Sequence, residues 1–185
     1  VDEANLPAAF FESAATGGDK KFLFEKRDGE WIGHSWKVVA DKIARLASVL
    51  VDAGVNAGDR VLVTAENRPE WAIADLAVMA IGAIVVPAYT TNTEDDHHFI
   101  IDHSGASVAI TSGGMLAMRV CLAAERASAL KTLITMNPDF SPPKLTRTRL
   151  LDWSQALEAT APLADLDARM AALRADDVCC FIYTS

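Results

Sequence analysis

Four short runs rich in β-branched and apolar residues recur along the chain, at residues 60–65, 83–86, 107–111 and 132–136, the second apolar throughout, with stretches of helical spacing between them. A strand with one solvated face would alternate apolar and polar side chains. A strand that is apolar at every position is buried on both faces, which is the situation in a parallel sheet covered by helices. Parallel neighbours also require long crossovers, and intervening helices of roughly 10 to 17 residues supply them in the right-handed sense that strand twist imposes. The expected fold class is therefore α/β, a largely parallel sheet flanked by helices.

The punctuation between these runs fits. Residues 22–26 and 31–36 read as two aromatic-rich strands joined at Asp28-Gly29, an N-terminal β-hairpin. Val39, Ile43, Leu46, Ala47 and Leu50 then repeat at helical spacing up to Gly54, so a helix is expected over about 36–53. Asn67, Pro69 and Glu70 form a helix-start signature, with Asn67 as N-cap, Pro69 in the first turn and Glu70 reaching back, for a helix to about Ile81. Thr93 to Asp96 caps another helix, to about His103, and Gly113-Gly114 precedes one over 115–129. The proline-rich stretch 137–143 is a loop, residues 144–150 a short strand, and 153–173 helical with a break at Pro162. A last strand is expected over 178–183.

Bulk properties remove several function classes. The 185 residues are 51% hydrophobic, enough to bury a core. Net charge is −8 and no basic cluster exceeds a pair, so a nucleic-acid partner is not expected. The most apolar stretch, residues 77–89, is broken by Gly82 and Pro87 and is too short to span a bilayer. Cys121 stands alone and Cys179-Cys180 are adjacent, which is neither a disulfide framework nor metal-ligand spacing. With no secretory pattern visible at Val1-Asp2-Glu3, a reducing, cytoplasmic setting is expected.

Most nucleotide motifs are missing as well. No Gly-x-Gly-x-x-Gly follows a strand and no Gly-Lys-Ser/Thr is present. The pairs Gly17-Gly18 and Gly113-Gly114 read as plain turns. His97, His98 and His103 share one helix, but His98 and His103 are five apart, the wrong spacing for a shared metal, so solvated or capping roles are expected. Glu94, Asp95 and Asp96 suit the positive end of that helix and no metal site is assigned. Arg68 is read as half of a surface ion pair, and Cys179-Cys180 as small buried hydrophobes. The remaining signal is Phe181-Ile182-Tyr183-Thr184-Ser185, a hydrophobic strand running into two hydroxyl residues, where a phosphate-cradling turn would begin.

Taken in order, the helix at Trp36, Gly54-Val55, Gly58-Asp59-Arg60-Val61, Asn67-Arg68-Pro69-Glu70-Trp71, Val86-Pro87-Ala88-Tyr89, Asp102-His103-Ser104-Gly105-Ala106 and the terminal residues 177–185 resemble the adenylate-forming acyl-CoA synthetases. They are most similar to the long-chain fatty-acid branch. The resemblance implies that residues 1–185 are the N-terminal portion of an AMP-binding domain, its first subdomain, truncated within the phosphate-binding loop. That loop reads Tyr-Thr-Ser-Gly-Thr-Thr-Gly-x-Pro-Lys-Gly in the family, and Tyr183, Thr184 and Ser185 are its first three residues here. Thr184 and Ser185 are the implied nucleotide ligands, Tyr183 is expected to pack behind the loop, and no catalytic residue is assigned. The parent enzyme would use ATP, Mg2+ and coenzyme A to activate a fatty acid, with possible peripheral membrane contact, while the fragment would be inactive and self-associating. A fatty-acyl-AMP ligase and a non-catalytic α/β interaction module are the alternatives.

Overall fold

A computed structural model describes residues 5–137 and 140–184. After helix α1 (Leu6–Gly17), strands β1 (Lys21–Arg27) and β2 (Glu30–Ser35) form an antiparallel hairpin. Its turn is made by Asp28 and Gly29, both at positive φ (50° and 86°), the left-handed pair that lets a two-residue turn follow the strands' own twist. Helix α2 (Trp36–Asp52) leads into β3 (Arg60–Thr64), α3 (Pro69–Ala80), β4 (Ile84–Pro87), α4 (Glu94–Ser104), β5 (Val108–Thr111), α5 (Gly114–Arg126), β6 (Thr132–Thr135), β7 (Arg149–Asp152), α6 (Trp153–Ala159) and α7 (Leu166–Ala171). Strands β3 to β7 make one sheet in the order β4-β3-β5-β6-β7, parallel throughout.

The two-residue period of each strand divides its apolar residues between two cores. Val61, Val63, Val85, Val108, Ile110 and Ile134 pack with Val39, Ile43, Leu46 and Leu50 of α2 and with Ile73 and Ala77 of α3. Leu62, Val86, Ala109 and Leu133 point the other way, to Ile100 and Ile101 of α4 and Leu116 and Val120 of α5. The middles of these strands are apolar on both sides because both faces are covered, and their polar residues fall at the strand ends. At the edge of the first core Phe22 stacks on Trp36 at 3.7 Å between ring centroids, and a Cβ on Gly17 would run into that indole. Gly17→Ala is expected to cost about 1–3 kcal/mol by overpacking, read as a lower urea midpoint; an unchanged midpoint would show that the ring yields.

Three sequence expectations shift. Arg68, not Asn67, is the N-cap of α3, with no side-chain cap bond. Pro69 fixes the first helical residue and holds Arg68 extended (φ −150°, ψ 156°), which leaves Glu70 one position too early for a capping box. Its carboxylate instead pairs with Arg68 Nε at 2.8 Å in a partly buried contact. The short strand occupies Arg149–Asp152 rather than 144–150, because the backbone donors of Thr146 and Arg147 are spent on the Glu125 carboxylate. The last strand contracts to a single parallel bridge between Cys180 and Val85. In the loop 137–143, Pro138 and Asp139 lie outside the described residues.

Candidate functional site

Strand order locates the site. The chain leaves β3 for β4 on one side, then crosses back to lay β5 on the other side of β3, so the crossovers diverge at the carboxyl ends of β3 and β5. In doubly wound sheets that divergence opens the ligand crevice. Thr64, Thr111 and Thr135 stand in register across β3, β5 and β6 at this edge, all buried. The hydroxyls of Thr64, Thr111 and neighbouring Ser112 have no hydrogen-bond partner among the described residues.

The terminal segment reaches the same edge. Val85 N–H donates to Cys179 O and Phe181 N–H donates to Val85 O, each at 2.9 Å, so residues 179–181 run alongside β4 and in its direction. Beyond the bridge, Tyr183 is clasped by α4. Its hydroxyl lies 2.8 Å from His103 Nδ1, its ring meets His103 edge-on (87°, 5.6 Å) and Phe99 edge-on (87°, 6.3 Å), and Phe99 stacks on His103. Thr184 follows, exposed, at the mouth of an open cleft of about 380 Å³ that also takes in Pro87, Tyr89, Asn92 and Asp96. Asp96 is engaged by the Thr93 backbone N–H and hydroxyl in a complete capping box, which holds its carboxyl below the ordinary carboxylate range.

Tyr183 thus packs on α4 just ahead of Thr184, and Ser185 lies outside the described residues. The roles expected for the other histidines change. His97 is fully buried in the first turns of α4, with neither ring nitrogen partnered among the described residues. Burial pushes its pKa down to about 4, Asp96 opposing and Arg119 assisting. His103 serves Tyr183 and is no cap. Cys179 and Cys180 are exposed rather than buried, since a single bridge leaves their segment on the outer edge of β4. Glu94 and Asp95 both pair with Arg126, at 2.8 and 2.7 Å. No cluster of three His, Cys, Asp or Glu poised for a metal occurs among the described residues.

The sequence profile of the AMP-binding enzyme family matches residues 10–185. The chain belongs to that family. It is 32% identical over 181 residues to the long-chain-fatty-acid–CoA ligase FadD15 of Mycobacterium tuberculosis, covering 98% of this chain and 29% of that protein. It is 25% identical to the long-chain-fatty-acid–CoA ligase ACSBG2 of Gallus gallus, over 95% of this chain and 23% of the relative. This AMP-binding chain thus spans under a third of the length of the curated relatives it matches. Among solved structures it superposes on a benzoate CoA ligase from Burkholderia xenovorans LB400 (TM-score 0.77, 24% identity, 97% of this chain and 32% of that one). It also superposes on the adenylation domain of a carboxylic acid reductase from Segniliparus rugosus (TM-score 0.80, 15% identity, all of this chain and 34% of that one). These two likenesses establish a shared fold for the AMP-binding chain and its parallel sheet.

Proposed function

We propose that residues 1–185 are the N-terminal portion of an AMP-forming long-chain fatty-acid–CoA ligase and end inside its phosphate-binding loop. The observation that carries this reading is the path of residues 179–184 along β4 to the carboxyl edge of the sheet, where Thr184 emerges beside a cleft. The intact enzyme would join a fatty carboxylate to ATP, releasing pyrophosphate, and pass the acyl group to the thiol of coenzyme A. Chemistry of that kind rests on neutralising triphosphate charge rather than on a protein nucleophile.

Within this segment Thr184 and Ser185 would offer hydroxyl and amide donors to phosphate oxygens, and Mg2+ would supply further positive charge. The cleft at Thr184 is lined by one carboxylate, Asp96, and by no Lys or Arg. Its residues suit the start of a phosphate cradle and leave the cations to chain beyond it. The 185-residue piece is accordingly inactive alone. A cytoplasmic enzyme with peripheral membrane contact fits a chain in which no described helix is long and apolar enough to cross a bilayer.

The test is adenylation by the intact protein, followed as fatty-acid-dependent exchange of pyrophosphate into ATP, with thioester measured with and without coenzyme A. Exchange together with thioester supports the reading. Exchange without thioester makes the protein a fatty-acyl-AMP ligase, and no exchange with any fatty acid leaves the interaction module. A physical consequence concerns the fragment: Val178 (56% exposed), Phe181 (38%) and Ile182 (66%) lie along the outer edge of β4. Apolar side chains on an open sheet edge favour self-association, so light scattering should report dimers or larger species, and a monomer at high concentration would contradict this.

A further inference from the structure

We propose that His103 is a positioning residue that sets the entry angle of the phosphate loop through Tyr183. The inference rests on the functional reading above, since it concerns the loop that begins at Thr184.

The terminal segment has little else to fix it. Its ladder to β4 ends with the Phe181 N–H bond, and Ile182 beyond it is two-thirds exposed. Past Phe181, the contact between Tyr183 and α4 carries the restraint: one hydrogen bond of 2.8 Å and two edge-on ring contacts, from residues one helical turn apart. Phe99 lies against the imidazole at 5.4 Å and 27°, which restricts the ring's rotation and aims Nδ1 at the hydroxyl. The anchor is itself firm. The α4 helix is closed by Gly105 at φ 66° and by the buried Ser104 hydroxyl on Ile100 O, and Arg60 of β3 donates to the carbonyls of Ser104 and Gly105.

The bond forms with either tautomer of the imidazole: with Nδ1 bare the tyrosine hydroxyl donates to it, and with Nδ1–H the ring donates to the phenol oxygen. His103 therefore acts as a fixed strut, and the position of Thr184 is what it controls. Loss of a strut of this kind lowers the probability of the loop geometry that phosphate requires, and acts on nucleotide capture and on the adenylation step more than on the fold.

Two variants approach the same bond from opposite ends. In the intact enzyme His103→Ala and Tyr183→Phe should each lower kcat/KM for ATP in adenylation by roughly fivefold to tenfold, the scale of one hydrogen bond, with thermal midpoints little changed. The double variant should be no worse than either single one. His103→Asn, which keeps a hydrogen-bonding atom near the Nδ1 position, should recover most of the loss, and His103→Phe, which keeps only the stack, should not. Additive losses, no rescue by His103→Asn, or normal kinetics in His103→Ala would overturn the inference while leaving the enzyme reading intact. A wild-type protein that adenylates nothing would overturn both.

Discussion

Acidifying the protein from pH 7 to pH 5 costs the fold about 2 kcal/mol at His97 alone, rising to about 3 kcal/mol at pH 4. The imidazole is fully buried, and burial pushes its pKa from 6.5 to about 4. In the unfolded chain it titrates near 6.5. Between these values the unfolded state binds a proton that the folded state refuses, so stability falls as pH drops through the window and is flat above it. Asp75, held above the ordinary carboxylate range by burial, acts in the opposite direction, and the hydrogen-bonded Glu70, held below that range, adds its acid sensitivity only from the acid end of the window downward. His97→Leu separates these effects. It removes two ring nitrogens with no partner among the described residues, and should raise stability at pH 7 by about 1–2 kcal/mol while flattening the loss between pH 7 and 5. Urea unfolding of both proteins at pH 7, 6 and 5 measures the difference. Parallel curves would show that His97 is solvated in the native state.

Ile110→Ala should lower stability by roughly 2 to 5 kcal/mol, against about 1 kcal/mol for Ile110→Val. Ile110 lies on β5, the middle strand, is completely enclosed, and faces the core built from α2 and α3. With β3 and β6 paired on either side, the backbone has no freedom to close the void. The urea midpoint at constant denaturant slope is the measurement; a loss below 1 kcal/mol would mean that the helical layer collapses into the gap.

The sheet was legible because strands covered on both faces must be apolar through their middles, and Thr93 with Asp96 announced α4 because a capping box needs only local chemistry. What escaped was set by tertiary geometry. Nothing local distinguishes Arg149–Asp152 from the residues before it, whose donors go to Glu125 on another element. The burial of His97 did carry a signal, since it shares the helical spacing of Ile100, Ile101 and Ser104. At the candidate site, Tyr183 and Thr184 were readable from the strand that ends in hydroxyls. Their partners Phe99 and His103 were not, because a contact across 80 positions leaves no trace in spacing.

The strand order also has a reading in time. β3 is the first of its sheet to emerge during synthesis, yet its two neighbours are β4 and β5, so it is flanked on both sides only once Thr111 has been made. At ribosomal speeds that delay is roughly 2 to 10 seconds, during which Val61-Leu62-Val63 can meet other nascent chains. Asp59 and Arg60 before it, with Glu66 and Arg68 after it, place charge at both ends of the waiting segment, the arrangement that keeps an unfinished β-stretch from recruiting strangers.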